Sequence, residues 1–163
     1  KQIKDDKFLS KINLEDLLNE ILESFKETSS KEIILVTKDN KSNFNFQRTP
    51  ELIYGLRNFI GNSVKFSKSR VEIILISDDK TIQIKINDDG PGFPKDVIEI
   101  IGEPYIRSKS NQVSSNSGTG LGTFLGKTLL ERQLANLSFT RDIKLKGASV
   151  IISWNTKDLK FNS

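Results

Sequence analysis

The chain has 163 residues, 36% of them hydrophobic, and its 25 Lys and Arg against 21 Asp and Glu give a net charge of +4. That length fits one domain, and the dispersed charge shows no basic run of the kind that marks a nucleic-acid tail. Cysteine and histidine are both absent, which excludes disulfides, thiolate and imidazole metal sites, Cys nucleophiles and Ser-His-Asp triads.

Residues 1–12 are charged and lack a clear period. Lys1 to Asp6 does not read as a signal peptide, and no stretch of about 18 apolar residues is present to cross a bilayer. Asn13 reads as an N-cap, with Asp16 three residues on. Leu14, Leu17, Leu18, Ile21, Leu22 and Phe25 follow at helical spacing, so a helix is expected over 14–27. Ile33 to Val36 predicts a strand over 31–37, Lys38 to Lys41 a turn, and the alternation of Phe44 and Phe46 a second strand over 43–47. Thr49-Pro50-Glu51 is an N-cap followed by Pro at the first helical position, opening a helix to about Ser67.

Val71 to Ile76, a tight turn at 77–80, and the alternating Ile82, Ile84 and Ile86 predict an antiparallel hairpin. The turn-rich run Asn87 to Pro94 follows, then a short helix over 95–101. Residues 107–120, rich in Ser, Asn and Gly, predict a mobile loop before a helix over 121–134. Strands near 136–141 and 148–154 complete the chain. Strands arriving in adjacent pairs predict an α/β (α+β) two-layer sandwich, a mixed and mostly antiparallel sheet with helices on one face.

Three motifs carry chemistry. On the 50–67 helix, Leu52, Leu56, Phe59, Ile60 and Val64 share one side, and Asn58, Asn62 and Lys65 form a polar stripe on the other. Alone, that stripe is also what a solvated helix face looks like. Gly55 and Gly61 flank it, and bare backbone there would let a ligand approach closely. Two amide oxygens and an ammonium suit a phosphate chain carrying Mg2+. The second motif, Asp88-Asp89-Gly90-Pro91-Gly92, reads as a plain turn or as a site where an Asp accepts from an exocyclic amine such as that of adenine. The third, Gly118-Thr119-Gly120-Leu121-Gly122, opens a helix and so presents free N–H groups to an anion. It fails the dinucleotide pattern at Thr123, and Gly126-Lys127-Thr128 fails the P-loop pattern at Leu121. A eukaryotic-type protein kinase is excluded by the missing His-Arg-Asp loop.

In combination these motifs resemble the boxes of bacterial sensor histidine kinases. Asn58 to Ser67 resembles the N box, Asp88 to Phe93 the G1 box, Gly102-Glu103-Pro104-Tyr105 the F box, and Gly118 to Gly122 the G2 box. The likeness covers about residues 10–155. It implies the Bergerat (GHKL) fold, shared with gyrase, Hsp90 and MutL, with three main helices on the sheet. It also implies a division into residues 1–12 as the tail of a missing helical dimerisation and phospho-acceptor domain, 13–157 as the ATP-binding catalytic domain with a lid over about 103–120, and 158–163 as a C-terminal tail. Within that family, Gly102 to Tyr105, Lys127 to Arg132 and Trp154 look most like the RegB/PrrB redox-responsive kinases.

The resemblance implies roles for single residues. Asn62 would ligate Mg2+, Asn58 would support the metal and the phosphates, and Lys65 would contact phosphate. Asp88 would bind the adenine amino group, with Gly90 and Gly92 making room for the base. Gly118, Thr119, Gly120, Leu121 and Gly122 would bind phosphates and hinge the lid, Arg107 and Lys109 would reach the γ-phosphate on closure, and Ser149 would help bind adenine. Where hydrolases and serine kinases of the superfamily carry Glu as general base, this chain has Asn58, and an amide takes no proton at neutral pH. That favours transfer to histidine, itself nucleophilic. The implied partners are a histidine-bearing dimerisation domain of the same protein and a cognate response regulator, with no nucleic acid. The implied setting is a cytoplasmic domain, monomeric alone and making no membrane contact, of a homodimeric inner-membrane kinase. An anti-sigma-type serine kinase, a gyrase-type ATPase and a degenerate nucleotide-binding module are the competing readings. Departures from the family pattern are Ser63 where Ala is usual, Gly61 in place of an acidic or polar residue, and Gln133-Leu134-Ala135 in place of His-Gly-Gly.

Overall fold

A computed structural model describes residues 10–40, 44–94, 98 and 119–159. The elements are β1 (Lys11–Asn13), α1 (Leu14–Lys26), β2 (Glu32–Asn40), β3 (Asn45–Gln47), α2 (Pro50–Phe66), β4 (Arg70–Ser77), β5 (Thr81–Asp88), α3 (Thr119–Arg132), β6 (Asn136–Arg141), β7 (Ala148–Asn155) and α4 (Thr156–Leu159). The main sheet has five strands in the order β2-β4-β5-β7-β6, with β2 parallel to β4 and every other pair antiparallel. Helices α1, α2 and α3 cover one face, giving the mixed, mostly antiparallel two-layer sandwich that the strand pairing predicts.

Local chemistry sets the helix ends. Asn13 accepts from the Asp16 amide at 2.8 Å and donates to the Asp16 carboxylate at 2.9 Å, so α1 starts on a reciprocal cap. It buries Leu14, Leu17, Leu18, Ile21 and Leu22, the expected stripe, with Phe25 half-buried at its end. Thr49 caps α2 by accepting from the Leu52 amide at 3.1 Å. At the other end of α2, the Lys31 ammonium donates to the carbonyls of Val64, Lys65 and Ser67 at 2.6, 3.1 and 2.7 Å, a cation on the negative end of the helix dipole.

The structure departs from the sequence expectations at several places. The turn expected at 38–41 is strand as far as Asn40, because a register shift between Lys38 and Asn40 keeps Asn40 opposite Ser77. β3 does not pair with β2. It forms a separate two-stranded sheet with β1, and β2 instead runs parallel to β4, a pairing that needs the crossover α2 supplies. Lys11 and Ile12 therefore pair with Gln47 and Phe46, inside the packed unit rather than in a preceding tail. At the other end, Thr156 Oγ1 donates to the Asp79 carbonyl at 2.6 Å and Leu159 is buried, so the unit extends past 157. α3 starts at Thr119, two residues early, and stops at Arg132 because Leu134 turns to φ 72° and the Ala135 amide returns to the Leu130 carbonyl at 3.1 Å. The helix over 95–101 (Ile98 apart) and the loop over 107–118 lie outside the described residues.

The glycines on α2 also need a different explanation. A Cβ on Gly55 would stand 2.7 Å from Leu130 Cγ on α3, and one on Gly61 would stand 3.2 Å from the Phe25 ring on α1. Both serve close helix packing, not ligand approach. Ala has the higher helix propensity by about 1 kcal/mol, yet overpacking costs about 1–3 kcal/mol. Gly55→Ala is therefore expected to lower stability in urea unfolding, and the same change made in a Leu130→Ala background to cost little or nothing. A Gly55→Ala variant more stable than the parent would contradict this packing.

Candidate functional site

β5 sends Ile82, Ile84 and Ile86 into the core, and the same two-residue alternation turns Asp88 toward that face. Asp88 is 3% exposed, and its Oδ1 accepts from the Gly90 amide at 2.9 Å and the Ala148 amide at 3.1 Å. Burial pushes its carboxyl above the ordinary carboxylate value. The two amides and the Ser63 hydroxyl oppose that rise without cancelling it, and the Asp89 charge adds to it. The carboxylate lines a cavity of about 230 Å3, walled by the Phe59, Phe66 and Phe93 rings with Ala148 and Val150, and with Asn62, Ser63 and Thr123 as its other side-chain polar groups.

The loop around this cavity is shaped by close approaches. A Cβ on Gly90 would run into the Phe66 carbonyl oxygen, and one on Gly147 into the carbonyl of Asp88. Gly92 sits at φ 84°, in the left-handed region. Arg141 Nη2 donates to the Pro91 carbonyl at 3.2 Å, and Phe93 packs edge-on to Phe139 at 5.7 Å, which in turn meets Phe59 at 5.7 Å.

Asp89, the neighbouring acid, serves the backbone. It accepts from the amides of Lys68 at 2.8 Å, Ser69 at 3.1 Å and Arg70 at 3.2 Å, and from the Ser69 hydroxyl at 2.8 Å. Desolvation opposes its ionisation, but these donors outweigh it and hold its carboxyl at about 2. The bonds tie the loop after β5 to the segment joining α2 and β4. Because the folded value lies below the ordinary 3.8, the stability Asp89 contributes is present above that value and is lost as pH falls toward about 2. Asp89→Asn should melt at a lower temperature than the parent at neutral pH, and the gap should close near pH 2; a gap unchanged by pH would contradict this role.

On α2, the cavity takes Phe59, Asn62, Ser63 and Phe66, a stripe rotated by one residue from the polar stripe Asn58, Asn62 and Lys65. Phe59, expected to be core only, stands between core and cavity. Asn62 is the residue common to both stripes. Its Nδ2 lies 3.4 Å from Asn58 Oδ1 and 3.4 Å from Thr123 Oγ1, which leaves its own Oδ1 as the free ligand-type atom. Asn58 does not line the cavity. It fits between α2 and α3, where Gly122 and Gly126 leave room for it; a Cβ on Gly126 would stand 3.0 Å from Asn58 Oδ1. Lys65 is exposed, its ammonium 5.2 Å from the Phe66 ring.

Of the glycine motif, Thr119, Gly120, Leu121 and Gly122 form the first turn of α3. Gly118 lies outside the described residues, as do Gly102 to Tyr105, Arg107 and Lys109. Ser149 is not brought to the site. It pairs with Asn87 across the sheet and donates to Asn87 Oδ1 at 2.5 Å on the opposite face, because strand alternation gives the cavity Ala148 and Val150 instead. Pro94, Thr123, Ala148 and Val150 are the lining residues the motif reading misses. In the sequence Thr123 stands out only as the residue that breaks a dinucleotide pattern, and Ala148 carries no polar signal.

The profile of the histidine kinase-, DNA gyrase B-, and HSP90-like ATPase family matches residues 48–158. Over 97 residues the chain is 45% identical to the sensor histidine kinase RegB of Cereibacter sphaeroides, covering 56% of this chain and 21% of RegB. Over 154 residues it is 28% identical to the histidine protein kinase SaeS of Staphylococcus aureus, covering 91% of this chain and 44% of SaeS. The chain thus spans less than half the length of either relative. The solved structure of a mycobacterial sensor histidine kinase, MprB, superposes with a TM-score of 0.67 at 18% identity, over 90% of this chain and 97% of that one, and shares its fold.

Proposed function

This chain belongs to the histidine kinase-, DNA gyrase B-, and HSP90-like ATPase family, and from that premise we propose that it binds Mg·ATP and transfers the γ-phosphoryl group to a histidine on another domain of a two-component sensor kinase. The observation that carries the reading is Asp88: a buried acceptor-only carboxylate lining an aromatic-walled cavity suits an exocyclic amine. The Asn62 Oδ1 is the atom that would hold Mg2+, a hard cation that prefers oxygen ligands. Bound there, the metal would neutralise charge on the phosphates. Asn58 acts through Asn62, holding its amide, and Lys65 supplies a point charge at the exposed side. The first turn of α3 offers backbone N–H groups to the phosphates.

No described lining residue besides Asp88 is titratable, and Asp88 is assigned to the base end, so the described lining offers no further base to activate water for hydrolysis. Catalysis by positioning and charge neutralisation fits a nucleophilic imidazole acceptor. In the full-length protein the acceptor histidine would lie on a dimerisation domain and pass its phosphoryl group to a response regulator. The proposed setting is the cytoplasmic domain of a homodimer anchored in the inner membrane; no helix among the described residues is long and apolar enough to cross a membrane.

Calorimetry of ADP and ATP binding tests the site. Asn62→Ala should abolish Mg2+-dependent affinity. Asp88→Asn keeps an Oδ1 acceptor for the Gly90 and Ala148 amides and removes the charge that burial penalises. It should therefore melt at or above the parental temperature while losing nucleotide binding; parental affinity in this variant would refute the site. Binding by the parent should also weaken as pH falls through the raised Asp88 value, above the ordinary carboxylate range. Mixed with a histidine-bearing helical hairpin and labelled ATP, the chain should yield an acid-labile, base-stable phosphoprotein. Acid-stable phosphoserine on an added substrate, or rapid ATP turnover by the chain alone, would contradict the proposed reaction.

A further inference from the structure

Ser63 is a polar residue of this cavity to which the proposed function gives no contact with the nucleotide. It is 5% exposed, lies on α2 beside Asn62, and lines the cavity with its hydroxyl acting on the Asp88 carboxylate. The other candidate hydroxyls are engaged elsewhere. Ser149 donates to Asn87 on the opposite sheet face at 2.5 Å, and Thr123 lies 3.4 Å from the Asn62 amide on the α3 side. Ala148, which flanks Asp88 from β7, gives it a backbone amide and brings no polar side-chain atom.

One cavity therefore holds both a carboxylate that only accepts and a hydroxyl that can donate. Adenine offers the complement along one edge, an amine that donates and, next to it, a ring nitrogen that accepts. Guanine offers the reverse, a carbonyl and a ring N–H. Resting on the nucleotide reading above, we propose that Ser63 is a specificity-determining residue that donates its hydroxyl proton to the ring nitrogen adjacent to the adenine amine. The exchange is balanced in donors and acceptors. As the base enters, the amine donates to Asp88, and the Ser63 hydroxyl turns its single proton to the ring nitrogen. No buried acceptor is left unpaired.

The test is calorimetry with ADP and with its 1-deaza analogue, in which C–H replaces that ring nitrogen and the amine is kept. The parent should prefer ADP by about tenfold, the worth of one such hydrogen bond. Ser63→Ala should bind ADP about tenfold more weakly and the analogue as the parent does, so that the preference disappears; Ser63→Thr should retain it. A preference that survives in Ser63→Ala overturns the proposal. So does equal weakening of both ligands, which would make Ser63 only a support for Asp88. If Ser63→Ala does not fold, as judged by thermal melting, the parent decides alone: equal affinity for the two ligands is fatal to the idea. Failure of the underlying nucleotide reading shows up differently, as a parent that binds neither ligand or an Asp88→Asn variant that binds both normally.

Discussion

One ionisable group, taken out of water at the end of a strand, organises the site. Asp88 is placed by the alternation that buries Ile82, Ile84 and Ile86, so the fold commits a carboxylate to the core side of the sheet. Leaving it unpaired there would be costly. The chain answers with the Gly90 and Ala148 amides on one oxygen, and both contacts constrain what surrounds them. Gly90 lies against the Phe66 carbonyl and Gly147 against the Asp88 backbone, where a Cβ would not fit. The loop cannot follow the strand out into solvent; Asp89 binds three backbone amides and holds it against the start of β4. The aromatic walls and the raised carboxyl value follow from the same burial. The charge that weakens the empty fold is the charge that the proposed ligand uses.

The other end of the site depends on how α2 meets α3. Gly55 lets Leu130 approach, and Gly122 and Gly126 leave a gap that Asn58 fills. Because Asn58 is held between the helices, Asn62 is oriented from behind and Thr123 is brought next to it. A positioned amide oxygen on a rigid helix pair is a better ligand than one on a loop. The family match over residues 48–158 thus spans residues that pack as well as residues that would touch nucleotide.

Much of this is legible in the chain itself. Helix caps at Asn13 and Thr49, the apolar stripe of α1 and the β4–β5 hairpin follow from local chemistry, and the structure has them. Asp88 is legible through the resemblance of Asp88 to Phe93 to the G1 box, since taken alone the run also reads as a plain turn. What was not legible depends on partners distant in sequence. β3 pairs with β1 rather than with β2, since three residues around one buried Phe46 carry no register signal. Gly55 and Gly61 look like openings for a ligand until Leu130 and Phe25 are seen opposite them. Helical spacing places Asn58, Asn62 and Lys65 on one stripe, but only packing decides that the cavity sees the stripe one residue on. The resemblance points to Ser149 as the small hydroxyl beside adenine; the strand's phase turns it to the other face and presents Ala148.

The central claim is that Asp88 reads the ligand in its ionised form, against the cost of its own burial. Carboxyl carbon NMR, following Asp88 across pH with and without ADP, tests this directly. The account predicts that Asp88 titrates above the ordinary carboxylate range in the free protein and that ADP lowers its value, since a ligand that prefers the charged form must stabilise it. An Asp88 titration that ADP leaves unmoved, or moves upward, would contradict it.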